Sequence, residues 1–94
     1  MISRIYKYQL PLQDVATVQM PYGACILSVG VQRDSVVVWA NVDPKVERMI
    51  DRRFRIIGTG HEFDDTYLGR FVGTVMVGDA LVFHIFEQLE SIVF

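Results

Sequence analysis

Near the C-terminus, the run Val75-Met-Val-Gly-Asp-Ala-Leu-Val-Phe-His-Ile-Phe-Glu87 sets Gly78-Asp79 between two apolar segments. Glycine at the first of two central positions is the signature of a type II′ hairpin turn, which needs a positive φ there. A two-residue turn fixes register, so individual cross-strand partners can be predicted. They are Val77/Ala80, Met76/Leu81, Val75/Val82, Thr74/Phe83, Gly73/His84, Val72/Ile85, Phe71/Phe86 and Arg70/Glu87. An aromatic pair and an opposite-charge pair fall directly opposite, each worth about 0.2–1 kcal/mol. In this register His84 faces a glycine, which leaves space beside its ring.

The rest of the chain has the same texture. Strand candidates are Ile2–Leu10, Val15–Met20, Ala24–Gln32, Val36–Val42, Arg53–Gly58, Tyr67–Val77 and Ala80–Glu87. They are separated by Pro11, Pro21-Tyr22-Gly23, Arg33-Asp34, Asp43-Pro44, Gly58-Thr-Gly60 and Gly78-Asp79. Seven short strands at this spacing predict a single all-β domain over residues 1–94, a small antiparallel β-sandwich or a partly closed barrel. Asp43-Pro44 reads as an N-cap followed by proline at the first helical position, with Val46, Met49 and Ile50 on one face. At most one short helical turn is expected there.

A hairpin about Arg33-Asp34 pairs Val31 with Val36, Val29 with Val38 and Leu27 with Ala40, a uniformly apolar face that belongs in the core. The other face carries Ile26, Ser28, Gly30 and Gln32 opposite Asn41, Trp39, Val37 and Ser35. The single tryptophan therefore sits on the more polar face, beside small residues. An indole there points to contact with another subunit or a ligand.

Composition bounds the function. Hydrophobic residues make up 51% of only 94 positions. That exceeds what a small core holds and predicts a homo-oligomer, with Ile92-Val-Phe94 and Trp39 among the surplus. No apolar run reaches the roughly 18 residues of a membrane span, and the alternating Met1-Ile-Ser-Arg-Ile-Tyr-Lys-Tyr8 is unlike a signal peptide. No membrane partner is expected. One cysteine, Cys25, allows no internal disulfide and suits a reducing cytoplasm. The net charge of −2 gives no general attraction to nucleic acid.

Arg53 and Arg55 share the strand face opposite Phe54 and Ile56, a fork suited to phosphate or carboxylate. The plainer reading is a solvated face, or pairing with Asp51, Asp64 or Asp65. Gly58-Thr59-Gly60-His61 follows directly, offering backbone N–H groups, a hydroxyl and an imidazole. It lacks the length and Lys-Ser/Thr ending of a P-loop, and a structural turn is the plainer reading. His61, Glu62, Asp64, Asp65 and His84 match no established metal spacing, so no metal or cofactor is expected. Cys25 lies in an apolar strand, Ser28 and Ser35 lack a partner base, and Arg70 and Glu87 are explained by each other. An enzyme is not expected.

Lys7-Tyr8 with Leu10, Val18-Gln-Met-Pro-Tyr-Gly-Ala-Cys-Ile-Leu-Ser-Val29, Trp39-Ala-Asn-Val-Asp-Pro44, Arg53-Phe-Arg-Ile-Ile-Gly-Thr-Gly-His61 and Gly73-Thr74 with Leu81-Val-Phe-His-Ile-Phe-Glu87 together resemble a family of short, uncharacterised bacteriophage and prophage proteins. The resemblance implies an accessory protein working in a bacterial cytoplasm and carries no activity with it. In that setting the expected function is non-enzymatic capture in host counter-defence. One version sequesters a small anionic ligand such as a cyclic nucleotide signal. Tyr22 or Trp39 would stack on a base, Arg53 and Arg55 would meet phosphates, and Gly58, Thr59, Gly60, His61 and His84 would complete the site. The alternatives are a module that inhibits a host defence protein through a strand edge and aromatic patch, or a virion component.

Overall fold

The computed structural model describes residues 2–88. Seven strands follow in order: β1 (Arg4–Leu10), β2 (Val15–Pro21), β3 (Cys25–Gln32), β4 (Ser35–Val42), β5 (Met49–Gly58), β6 (Arg70–Val77) and β7 (Leu81–Gln88). They form two sheets: sheet A, ordered β1-β4-β3, and sheet B, ordered β2-β5-β7-β6. Every pairing is antiparallel.

Period-two alternation decides which side chains meet between the sheets. Sheet A contributes Leu10, Ile26, Val36, Val38, Ala40 and Val42, and sheet B contributes Ala16, Met20, Phe54, Ile56, Val75, Val77 and Ile85. Phe54 and Ile85 are fully buried, each stabilising the fold by about 1.5–3 kcal/mol. β3 runs close beside β6, and more loosely β1 beside β2, without a shared ladder. The result is a small sandwich whose sheets approach at their edges and do not close into a barrel.

The C-terminal hairpin departs from the expected register in an instructive way. Its turn holds three residues, Gly78 to Ala80, so the pairs nearest it are Val77/Leu81, Met76/Val82, Val75/Phe83 and Thr74/His84. His84 thus faces Thr74, not Gly73. A β-bulge at Val72 then absorbs one residue and restores Phe71/Phe86 and Arg70/Glu87. The Phe71 and Phe86 rings stand 5.3 Å apart, tilted by 60°.

The Arg33-Asp34 hairpin holds its expected register from Gln32/Ser35 to Ser28/Trp39. Beyond that a second bulge, at Leu27, pairs Ile26 with Ala40. Ile26 therefore enters the core and Leu27 is left 49% exposed, reversing the places expected for them.

The helical turn after Asp43 is a β-turn, closed by Val46 N–H donating to the Asp43 carbonyl at 3.1 Å. The Asp43 carboxylate caps it by accepting from the Lys45 amide at 3.0 Å. Met49 and Ile50 do not continue a helix. They open β5 opposite Pro21 and Met20, because the ladder to β2 satisfies their backbone groups. Ile92-Val-Phe94 lies outside the described residues.

One charged cluster lies between the sheets. Glu87, only 4% exposed, meets Arg52 Nε at 2.5 Å and Arg70 at 3.6 Å. Arg52 also donates to the Ala24 carbonyl at 2.7 Å, tying β5 to the start of β3. Arg52 is inward for the same reason as Phe54: the two are alternate residues of one strand.

Candidate functional site

The outer face of sheet B holds most of the residues singled out in the sequence. Arg53 and Arg55 point outward from β5 while Phe54 and Ile56 are buried. Gly58, buried at the end of β5, opens a β-turn in which His61 N–H donates to the Gly58 carbonyl at 3.1 Å and Gly60 takes φ 85°. Positive φ at that third position is the geometry of a type II turn. The Thr59 amide donates to the Val82 carbonyl at 3.1 Å. Two backbone donors that an anion would need are therefore spent, that of His61 on the turn and that of Thr59 on β7.

His84 is similarly engaged. Its Nδ1 lies 3.0 Å from Thr74 Oγ1 and its Nε2 lies 2.7 Å from Thr59 Oγ1. Both ring nitrogens have hydroxyl partners, a neutral imidazole's one donor and one acceptor being matched by hydroxyls that can play either role. His84 thus clasps β6, β7 and the Gly58–His61 turn together.

Arg55 organises the segment after that turn. Its Nη1 donates to the Asp64 carbonyl at 2.6 Å, and its guanidinium lies 5.7 Å from the centre of the Phe63 ring. Asp64 Oδ1 accepts from the Thr66 hydroxyl at 2.6 Å and the Thr66 amide at 2.9 Å. These bonds, led by the hydroxyl, lower the Asp64 pKa below its ordinary 3.8. Gly69, at φ 86°, fits the segment's end onto β7, where a Cβ would collide with the Glu87 carbonyl.

A cleft of about 310 Å³ opens here, lined by Asp14, Arg55, Gly58, His61, Glu62 and Phe63 among others. It sets two carboxylates against one guanidinium and an imidazole, a poor balance for an anion. The same face exposes Phe63, Tyr67, Phe71 and Met76, by 47%, 78%, 55% and 61%.

Trp39 and Tyr22 lie elsewhere. Tyr22, just beyond β2, stacks with the Arg48 guanidinium, 4.7 Å from its ring centre. It sits at the opposite end of the β2–β5 ladder from Val15/Arg55, about 20 Å away for six strand residues. Trp39 is on the outer face of sheet A, since its neighbours Val38 and Ala40 are in the core. The fold of the chain does not bring Arg53 or Arg55 together with either ring.

Sheet A's outer face carries a shallow groove of about 670 Å³ lined by Lys7, Gln9, Gln32, Arg33, Ser35 and Val37. Lys7 Nζ donates to Gln32 Oε1 at 2.7 Å, bridging from β1 to β3 above Val37, which is only 3% exposed. Gln9 Nε2 donates to Ser35 Oγ at 3.1 Å. Among the described residues, two cations, two amides and a hydroxyl surround the groove, and none of its lining side chains is a carboxylate. Arg33 and Asp34 occupy the hairpin turn at φ 50° and 62°, the left-handed region that a type I′ turn requires and that glycine and asparagine adopt most easily.

Alternation in the sequence puts Trp39 on this face without marking the groove. Its signal was present: alternation in Tyr6-Lys7-Tyr8-Gln9-Leu10 puts Lys7 and Gln9 together on one face. What the sequence withheld was the strand order that sets β1 beside β4. Among the described residues no group of three or more His, Cys, Asp or Glu could hold a metal ion, and no helix is long and apolar enough to cross a membrane.

Residues 1–92 match the model of a domain of unknown function, DUF7352. No curated protein and no solved structure matches the chain.

Proposed function

The chain belongs to the DUF7352 family, and from that premise we propose that it is a non-enzymatic protein that captures a small anionic ligand on the outer face of sheet A. The observation that carries this reading is the groove's lining, which among the described residues holds Lys7 and Arg33 and no carboxylate. A unit negative charge about 4 Å from either cation gains roughly 1 kcal/mol in bulk water and about 4 at the effective dielectric of a protein surface. The cleft beside Arg55 offers no such balance, because Asp14 and Glu62 offset its guanidinium. The titratable pair that could suggest acid–base chemistry, Arg70 and Glu87, is joined with Arg52 in a structural cluster.

The resemblance to bacteriophage and prophage proteins supplies the setting. In a host cytoplasm, a small β-protein that removes an anionic signal would blunt a defence without catalysing anything. Native mass spectrometry of the protein purified from phage-challenged bacteria tests this. The reading predicts an adduct that disappears on denaturation and is missing from the folded variant Lys7→Glu/Arg33→Glu. A clean spectrum for both proteins contradicts it.

A second reading rests on a different observation, the exposed Phe63, Tyr67, Phe71 and Met76 around Arg55 on sheet B. Aromatic, methionine and arginine side chains are enriched in protein contacts. In this reading the face docks on a host defence protein and inhibits it. A stoichiometric complex with a purified host enzyme, abolished by Phe71→Glu, supports the inhibitor. Self-association lost in the same variant assigns the face to a homo-oligomer instead.

A further inference from the structure

Resting on the reading of sheet A as an anion site, we infer that the ligand is a nucleotide whose base stacks on Trp39 and whose phosphates lie along the groove toward Arg33. Trp39 stands directly opposite Lys7 on β1 and Ser28 on β3. Its indole leans over Gly30: a Cβ there would lie 2.8 Å from Trp39 Cζ3 and 3.0 Å from Cη2. Gly30 is the register partner of Val37, the groove's floor. The benzo ring therefore lies low on the sheet at the end of the groove, and part of the indole remains exposed.

That placement joins the two elements of nucleotide recognition. An aromatic platform accepts any base through its π-face, and cations beside it meet the phosphates. A base over the indole sets its first phosphate near Lys7, the nearest cation across the ladder. Arg33 is farther along. From Trp39 to Ser35, next to the turn, is four strand residues or about 13 Å. Lys7 Nζ is held at Gln32 Oε1, toward the Arg33 end of the groove, so a nucleoside oligophosphate or a dinucleotide spans from the indole to both cations. Gln9, Gln32 and Ser35 lie between, with amide and hydroxyl donors for phosphate oxygens.

Because Trp39 is the only tryptophan, intrinsic fluorescence reports on the site without a label. The wild-type chain is titrated at low ionic strength with each of the four ribonucleoside diphosphates, and with inorganic pyrophosphate, followed in parallel by calorimetry. At least one diphosphate should quench Trp39 and bind about tenfold or more tightly than pyrophosphate. Trp39→Leu should keep pyrophosphate binding and lose the nucleotide's advantage, with Trp39→Phe intermediate. Lys7→Glu should weaken both. Equal affinity for nucleotides and pyrophosphate overturns the base-stacking inference while leaving the anion site standing. No binding of any probe at millimolar concentration overturns both.

Discussion

Gly73 on β6 lies so close to Val29 on β3 that a Cβ on the glycine would sit 2.7 Å from Val29 Cγ1. The two residues belong to different sheets, and no ladder joins their strands. Each strand also carries its hairpin's bulge, at Leu27 in β3 and Val72 in β6. Bulges bend a strand and increase its twist, and here the bent edges meet where glycine removes the obstructing side chain. Val29 is stiff at χ1 and cannot withdraw freely.

Gly73→Ala should therefore destabilise the fold by about 1–3 kcal/mol through overpacking. Val29→Ala in the same chain should recover part of that loss. Urea unfolding of the two single variants and the double variant measures the coupling, which should exceed about 0.5 kcal/mol. Additive effects would show that the seam is not a contact.

Glu87→Ala should cost about 3–5 kcal/mol, because it leaves the Arg52 guanidinium without its counter-charge between the sheets. Arg70→Ala should cost less than about 1 kcal/mol, since Arg70 is mostly exposed and sits 3.6 Å away. Chemical unfolding of the two variants separates these values. Similar losses would contradict the division between a buried and a rim partner.

The hairpin turn separates stability from binding. Asp34→Gly should stabilise the protein by about 1 kcal/mol by relieving its left-handed backbone, and should not weaken pyrophosphate binding, since it removes a negative charge beside Arg33. Arg33→Asn should also relieve strain but weaken pyrophosphate binding, because it removes a groove cation. Thermal unfolding and calorimetric titration of both variants check the contrast. Equal binding by Arg33→Asn and wild type would remove Arg33 from the site.

Acid should loosen the segment between Gly60 and Gly69 before the sandwich unfolds. Asp64 has a folded-state pKa below its ordinary 3.8, first through the Thr66 hydroxyl and then through the Thr66 amide. A depressed carboxyl contributes stability that is fully present above the ordinary value and is lost as pH falls through the lower folded one. Hydrogen exchange at the Thr66 amide should accelerate in that window relative to core amides, corrected for intrinsic exchange rates. Thr66→Val, which removes the hydroxyl and keeps the backbone amide, should shrink the step.

Much of this architecture is legible in the residues. The seven strands and the placement of Val36, Val38 and Ala40 in the core follow from turn chemistry and alternation, whereas the Phe71/Phe86 and Arg70/Glu87 pairs stand because the bulge at Val72 offsets the longer turn. The departures have two causes. His84 faces Thr74 because the turn takes in Ala80 as a third residue, whereas Ile26 turns inward because of the bulge at Leu27, and nothing local marks that bulge or the one at Val72. Similarly, nothing local separates Trp39 from Arg55, which alternation turns outward alike. Their separation depends on which sheet each strand joins, a long-range property that no short window contains.

The most direct test of the groove as the anion site is a two-dimensional NMR titration of the isotope-labelled protein with inorganic pyrophosphate. Saturable shifts should concentrate at Lys7, Gln9, Gln32, Arg33 and Ser35, with Arg55 and His61 unmoved. Shifts centred on Arg53, Arg55, Thr59 and His61, or none on either face, would contradict the account.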